Sequence, residues 1–427
     1  MNSAQTLRRV AIIGGVRTPF CRSNTAYQDL TNLDMLATAI QGLSQRFSLK
    51  GEQIDEVFAG AVVTHSKDWN LAREAVLSTD LSPLTPAVTL QQACGTSLQA
   101  AMISAAKIAS GQIDCAIAAG SDTTSDAPIV IGDKLRKRLI KLTRAKSFAE
   151  KRKIFKGFKL KELAPKPPGN GEPRTGLSMG EHCEMMAKEW AVTREEQDEL
   201  AVASHLKASA AYDAGFFDQL LVPCGGVLRD NNLRSDTSVE AMAKLRTAYD
   251  RSEAGTLTAG NSTPLTDGAS SLLLASEEWA EQRGLPVLAY LTHSRHSAVD
   301  FEAGEGLLMA PAVAVSEMLQ RANLSLQDFD LYEIHEAFAA QVLCTLKAWE
   351  SDDYCRERLG RDAAMGSIDR AKLNLMGSSL AVGHPFAATG ARVLANAAEL
   401  LHQRGSGRCL VSVCTAGGMG TVAILEK

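Results

Sequence analysis

A turn–helix–strand pattern occurs twice in this chain, about 290 residues apart. The first copy opens at Cys94-Gly95-Thr96-Ser97, runs through an alanine-rich segment to Gly111 and ends in Cys115-Ala116-Ile117-Ala118-Ala119-Gly120. The second opens at Gly383-His384-Pro385, runs through Ala391-Arg392-Val393-Leu394 to Gly405 and ends in Cys409-Leu410-Val411-Ser412-Val413. One such unit alone cannot bury its apolar helix face and strand. Two of them stacked can, so the repeat confines the chain to an α/β architecture of two similar halves. Small residues crowd the first helix (Ala100, Ala101, Ser104, Ala105, Ala106, Ala109). They allow close approach of neighbours, which predicts a central, buried helix.

With 427 residues there is room for two or three domains and a large core. We divide the chain into an N-terminal half (1–125 with 251–282), an inserted loop domain (126–250) and a C-terminal half (283–427). Within the insert, segment 134–161 holds thirteen Lys or Arg among twenty-eight residues, against the single acid Glu150. The bland reading is a solvated amphipathic surface. Phe148, Ile154, Phe155 and Phe158 lie among the charges and favour a docking helix, toward CoA phosphates, an anionic membrane surface or a partner subunit. An irregular loop follows at 165–171, and Thr193-Arg194-Glu195-Glu196 forms a capping box at the start of a further helix.

Composition excludes several classes. A formal net charge of −4 gives no bias toward nucleic acid. The apolar runs are too short to span a membrane. The chain enters a strand at Val10-Ala11-Ile12-Ile13 almost at once, so no signal or transit peptide is expected. Nine cysteines with no CxxC pair point to free thiols in a reducing compartment, and a cytoplasmic protein is expected. His335-Glu336 could begin an HExxH zinc motif, but Ala339 stands where the second histidine belongs, so no metal is expected.

Four reactive side chains sit in small-residue turns: Cys94, His335, His384 and Cys414. Cys94 precedes a helix, whose N-terminal partial charge should lower its thiol pKa and favour attack on a carbonyl. A lone free cysteine is more often a buried structural group; the accompanying histidines weigh against that here. His384 is the candidate base, able to meet Cys94 if the halves pack face to face. Cys414 is a second acid/base, of the kind that carbon–carbon chemistry next to a carbonyl requires. The turn Ala416-Gly417-Gly418 can offer backbone N–H groups to an oxyanion. His335 is a candidate oxyanion donor or water binder, with Glu336 expected to orient the local network and Phe338 to line an acyl pocket.

Taken together these motifs resemble the thiolase family over the full length of the chain. The resemblance rests on Gly14-Gly15-Val16-Arg17-Thr18-Pro19-Phe20, the Cys94 motif, Ser178-Met179-Gly180-Glu181, Gly260-Asn261-Ser262-Thr263-Pro264-Leu265-Thr266-Asp267-Gly268-Ala269, and the His335, His384 and Cys414 motifs in family order. It implies the α/β thiolase fold, two halves in five layers (αβαβα) with an inserted loop domain, assembled as a homodimer or tetramer. It implies a ping-pong reaction with coenzyme A as substrate and no cofactor. Cys94 would attack the keto carbonyl of a 3-ketoacyl-CoA, Cys414 would protonate the departing acetyl-CoA, and CoA would collect the acyl group. The backbone N–H groups of Cys94 and Ala416 would hold one oxyanion; His384 and a water on residue 335 would hold the thioester oxygen. Thr263 would contact the pantetheine arm, and Met179 would line the same tunnel.

Three positions depart from the family pattern, Thr263 standing where the family has a serine. Ala416 replaces a glycine, which a backbone donor tolerates. His335 replaces an asparagine, which together with Ser178-Met179-Gly180-Glu181-His182 is similar to the thiolase β subunit of the fatty-acid oxidation complex. That subclass implies medium and long acyl substrates, a hydratase–dehydrogenase α subunit, and membrane or partner contact through 134–161. A biosynthetic acetoacetyl-CoA thiolase, a ketoacyl-synthase-type enzyme and an inactive lipid-carrying scaffold are the rivals. Cys414 speaks against the second, and intact Cys94, His384 and Cys414 against the third.

Overall fold

The repeat in sequence is a repeat in topology. The computed structural model describes residues 7–169 and 171–427; Asn170 of the insert loop lies outside them. In the first half, strands β1 (Val10–Arg17), β2 (Glu56–Gly60), β3 (Ala87–Thr89), β4 (Cys115–Asp122) and β5 (Thr266–Ser276) lie in the order β3-β2-β4-β5-β1. In the second, β6 (Ala289–Ala298), β7 (Leu331–Ile334), β8 (Arg408–Thr415) and β9 (Met419–Glu426) lie in the order β7-β8-β9-β6. Leu373 bridges to Tyr332 of β7 in parallel, in the place that β3 occupies beside β2. Each half therefore has parallel strands at its outer edge and antiparallel strands toward the seam. The halves join where β1 meets β6 over two residue pairs, Ala11 with Tyr290 and Ile12 with Ala289.

Helices α1 (Asn32–Arg46), α2 (Leu71–Leu77) and α3 (Thr96–Ala109) belong to the first half. Helices α4 (Asp133–Arg144), α5 (Phe148–Ile154), α6 (Met179–Glu189) and α7 (Arg194–Asp213) follow before β5. Helices α8 (Ala310–Ala322), α9 (Ala339–Glu350) and α10 (Thr389–Arg404) belong to the second half. Five layers result. Leu36, Ile40 and Val76 of α1 and α2 pack on Ile117 and Leu273 at one outer face. Val315, Leu319 and Leu343 of α8 and α9 pack with Leu410, Val422 and Ile424 at the other. Between the sheets lie α3 and α10, where Leu98, Ala101 and Ile108 meet Val393, Leu394 and Leu401.

The small residues of α3 thus serve the purpose read from sequence. At Gly390 a β-carbon would lie 2.3 Å from the backbone nitrogen of Leu98, so the two central helices touch main chain to main chain. This contact brings the N-terminal ends of α3 and α10, and the loops before them, to one place. Helices α6 and α7 cover the second half, and α7 opens with the expected capping box on Thr193 and Glu196.

Candidate active site

Cys94 sits in the sharp turn between β3 and α3. Ala93 before it has φ +45°, a left-handed conformation costly for a residue with a side chain. Thr96 holds the turn: its Oγ1 accepts from the Gln92 N–H at 2.9 Å and donates to the Ala93 carbonyl at 2.7 Å. Gly95 is required because a β-carbon there would meet Thr415 Cγ2 at 2.8 Å. Of the nine cysteines, Cys94 alone is not fully buried.

His384 comes from the other half. Gly383 (φ +105°) turns the chain, Thr266 Oγ1 accepts the His384 N–H at 2.7 Å, and the imidazole Nε2 lies 3.1 Å from the Cys94 sulfur. With the thiol proton directed at Nε2, Nδ1 carries the ring hydrogen and donates to Thr389 Oγ1 at 2.5 Å. Thr389 is the first residue of α10, so the His384 ring is oriented by a helix of the central layer. His384 lies five residues before α10, in the loop between a short helix (Ser379–Val382) and α10.

The electrostatics differ from the expectation drawn from the helix end. Burial, with the Asp122 carboxyl nearby, pushes the Cys94 thiol up to about 12. The N–H groups of Ala416 and of Cys94 itself pull the other way without prevailing. Burial and the Arg392 charge hold His384 down at about 3. Desolvation outweighs the helix dipole because the dipole acts over one turn and is worth roughly 1 kcal/mol. The resting pair is a thiol and a neutral imidazole.

Cys414, near the end of β8, is buried, and its thiol is pushed up by burial and by the proximity of Cys94. The following turn places two glycines at positive φ, Gly417 (+77°) and Gly418 (+70°), before β9. The Ala416 N–H hydrogen-bonds the Cys94 sulfur. The Gly417 N–H does not join it: the buried carboxylate of Glu172 accepts it at 2.7 Å.

His335 stacks beside His384, ring centres 4.1 Å apart, with no exposure to solvent. Its Nδ1 meets Ser379 Oγ at 2.7 Å. Burial and the neighbouring His384 and Arg392 hold it well below the usual histidine range, so it is neutral. Glu336, next to it in the chain, is buried. It accepts from Ser204 Oγ (2.7 Å), Asn374 Nδ2 (2.7 Å) and the Leu380 N–H (3.3 Å). Thr263 is tied to the same loop, its N–H and Oγ1 both donating to the Ala337 carbonyl at 3.1 and 3.0 Å. Phe338 caps α9 and meets Tyr249 edge-on at 5.9 Å; Met179 opens α6 at the margin of the second-half core.

Residues 94, 335, 384, 414 and 416, spread over more than three hundred positions, converge on this seam. Thr266, Thr389, Asp122, Glu172, Ser379 and Arg392 belong to it as well and were not singled out in sequence. Thr389, five residues after His384, is the one that local spacing could expose.

Family profiles match both halves: the thiolase N-terminal domain over residues 10–278 and the thiolase C-terminal domain over residues 285–427. A 3-ketoacyl-CoA thiolase of Yersinia pestis (strain Pestoides F) is 41% identical over 424 residues, covering 98% of this chain and 97% of its own. Among solved structures, the Bacillus anthracis acetyl-CoA acetyltransferase superposes with a TM-score of 0.82 at 28% identity, covering 99% of this chain and 100% of its own. Human mitochondrial 3-ketoacyl-CoA thiolase superposes with a TM-score of 0.81 at 26% identity, covering 99% of each chain. Matched in both halves by the profiles and over nearly its whole length by these proteins, the chain belongs to the thiolase family.

Proposed function

We propose that this protein is a 3-ketoacyl-CoA thiolase of fatty-acid β-oxidation. The observation that carries the reading is the Cys94 sulfur set 3.1 Å from His384 Nε2 across the seam of the two halves. Cys94 attacks the keto carbon of a 3-ketoacyl-CoA and passes its proton to His384. The bond between the keto carbon and its CoA-side neighbour breaks, Cys414 supplies a proton to the new carbanion, and acetyl-CoA leaves. The shortened acyl group stays on Cys94 as a thioester. CoA then gives its thiol proton to Cys414 and attacks the thioester; shortened acyl-CoA leaves, and Cys94 recovers its proton from His384. The Ala416 and Cys94 N–H groups stabilise the oxyanion at the attacked carbon, and His384 and His335 serve the thioester oxygen. Thr263, Met179 and Phe338 bound the acyl and pantetheine path. No group beyond CoA is needed.

The rival within the family is a biosynthetic acetoacetyl-CoA thiolase, favoured by the match to the Bacillus anthracis acetyltransferase. Thiolysis rates across a chain-length series of 3-ketoacyl-CoAs decide between them. We expect faster turnover of medium chains than of the four-carbon substrate. A sharp four-carbon preference would transfer the protein to the rival.

We further infer a β-subunit role beside a hydratase–dehydrogenase α subunit in the cytoplasm, with 126–250 acting as a separate insert. In that insert, segment 134–161 carries thirteen basic residues, nine of them on α4 and α5, with Phe148 82%, Leu160 80% and Ile129 65% exposed beside them, which supports docking to an anionic membrane or the α subunit. Among the described residues no helix is long and apolar enough to cross a membrane. Self-association as a dimer or tetramer is supported by the open edge at β3, where Val88, Leu84 and Trp69 are exposed. Deleting 134–161 is expected to spare short-chain turnover and abolish vesicle or α-subunit pull-down. Unchanged pull-down would remove the insert from that role.

A further inference from the structure

We infer that Ser379 and Arg392 are positioning residues that place the ring hydrogen of His335 on Nε2, making that N–H a donor to the substrate's thioester oxygen. The inference rests on the thiolase reading above for the identity of that oxygen. An asparagine at this position would present N–H donors whatever surrounded it. A neutral histidine presents one N–H, and its neighbours decide on which nitrogen.

The neighbours here leave little choice. Arg392 is buried in the central layer, 1% exposed, and among the described residues it makes no ion pair. Its guanidinium can only donate. Nη2 donates to Ser379 Oγ at 2.6 Å and Nη1 to Ser378 Oγ at 3.2 Å. Ser379 Oγ is thereby an acceptor, and its own O–H is free to be given. The group that takes it is His335 Nδ1, 2.7 Å away. An accepting Nδ1 on a neutral ring requires hydrogen on Nε2. The opposite tautomer would make Ser379 accept twice and leave its buried O–H with nothing to bind. On His335 itself, Nε2 is buried and has no partner among the described residues. The ring that carries it lies against His384, whose Nε2 meets Cys94. A buried, unspent donor beside the nucleophile is what a preorganised oxyanion site requires. The low basicity of His335 fits this, since a doubly protonated ring would have no lone pair for Ser379.

The test uses the full chain labelled with ¹⁵N-histidine and long-range ¹H–¹⁵N spectra recorded without substrate. There are eight histidines, and His335→Asn identifies the signals of position 335. We expect wild type to show Nε2 protonated and Nδ1 bare at His335. Ser379→Ala should give a mixed or reversed pattern and lower kcat roughly 10- to 100-fold, less than the full loss of an oxyanion donor, with KM for CoA unchanged. Ser379→Thr, which keeps the hydroxyl, should restore both tautomer and kcat. A wild-type ring protonated on Nδ1 overturns the proposal, and so does Ser379→Ala with wild-type kcat. Should Ser379→Ala fail to fold, the wild-type spectrum decides alone. That spectrum does not depend on turnover, whereas failure of the thiolase reading would appear separately, as wild type that cleaves no 3-ketoacyl-CoA.

Discussion

Cys94→Ser is expected to fold normally and to lose thiolysis by about 10,000-fold or more, the scale seen when a nucleophile is removed from a cooperating set. The reason lies in the resting protonation of the pair. With Cys94 near 12 and His384 near 3, the imidazole is a weak base and receives a proton only because sulfur is forming a bond as it gives the proton up. Oxygen is a poorer nucleophile with a more tightly held proton, and the same histidine cannot compensate. The measurement is intact mass after adding a medium-chain 3-ketoacyl-CoA without free CoA. Wild type should gain the mass of the shortened acyl group and lose it on addition of CoA; Cys94→Ser should gain nothing. An adduct that persists in the variant would move the nucleophile elsewhere, with Cys414 the first alternative.

The same pair sets the pH dependence. His384 is lowered from its usual 6.5 to about 3, so its free-base form persists as pH falls until that region is reached. Cys94 is raised to about 12, so the thiol persists as pH rises until that region is reached. Between these limits the acylation rate of wild type should be flat. A step centred near 6.5 would show that His384 titrates as a solvated imidazole and that its burial is relieved in solution.

Much of this site could be read before the fold was known, for a specific reason. Cys94 and His384 lie in turns, and Cys414 at a strand end just before one, whose small residues are demanded locally: Gly95 by contact with Thr415, Gly383 by its positive φ, Gly417 and Gly418 by the reversal into β9. Local demands leave local signatures. The repeat behaves similarly, because a turn–helix–strand unit must carry its own periodicity wherever it packs, and the strand order of the second half reproduces that of the first. Glu172, Ser379 and Arg392 left no such trace. Glu172 reaches Gly417 across 245 positions, and Ser204 reaches Glu336 across 132. Such contacts exist only after the layers assemble. The sign of the Cys94 pKa shift failed for the same reason: a helix end is visible in sequence, but the depth at which it is buried is not.

Asp230→Ala should cost about 3–5 kcal/mol of stability, the scale for leaving one member of a buried ion pair uncompensated. Arg17, in the Gly14–Phe20 motif, binds Asp230 with both arms, at 2.6 and 2.7 Å, and the two side chains are 2% and 0% exposed. Phe20 N–H and Tyr212 O–H also donate to this carboxylate, at 2.6 and 2.7 Å, while the guanidinium lies 4.8 Å from the Phe20 ring centre and 5.4 Å from that of Phe217. The Asp230 carboxylate therefore ties strand β1 to helix α7 and to its own loop at one point. Alanine removes the acceptor for three donors and strands a charge that the Asp230 carboxylate otherwise holds firmly protonated on Arg17. Denaturant unfolding with an unchanged slope would report the loss as a lower midpoint. Replacing both partners together, Arg17→Met with Asp230→Leu, should recover most of it, because no charge is then left without its counterpart. A single variant that loses less than about 1 kcal/mol, the range of an exposed pair, would mean that water reaches Arg17 and that the contact between β1 and α7 is looser than the packing here implies.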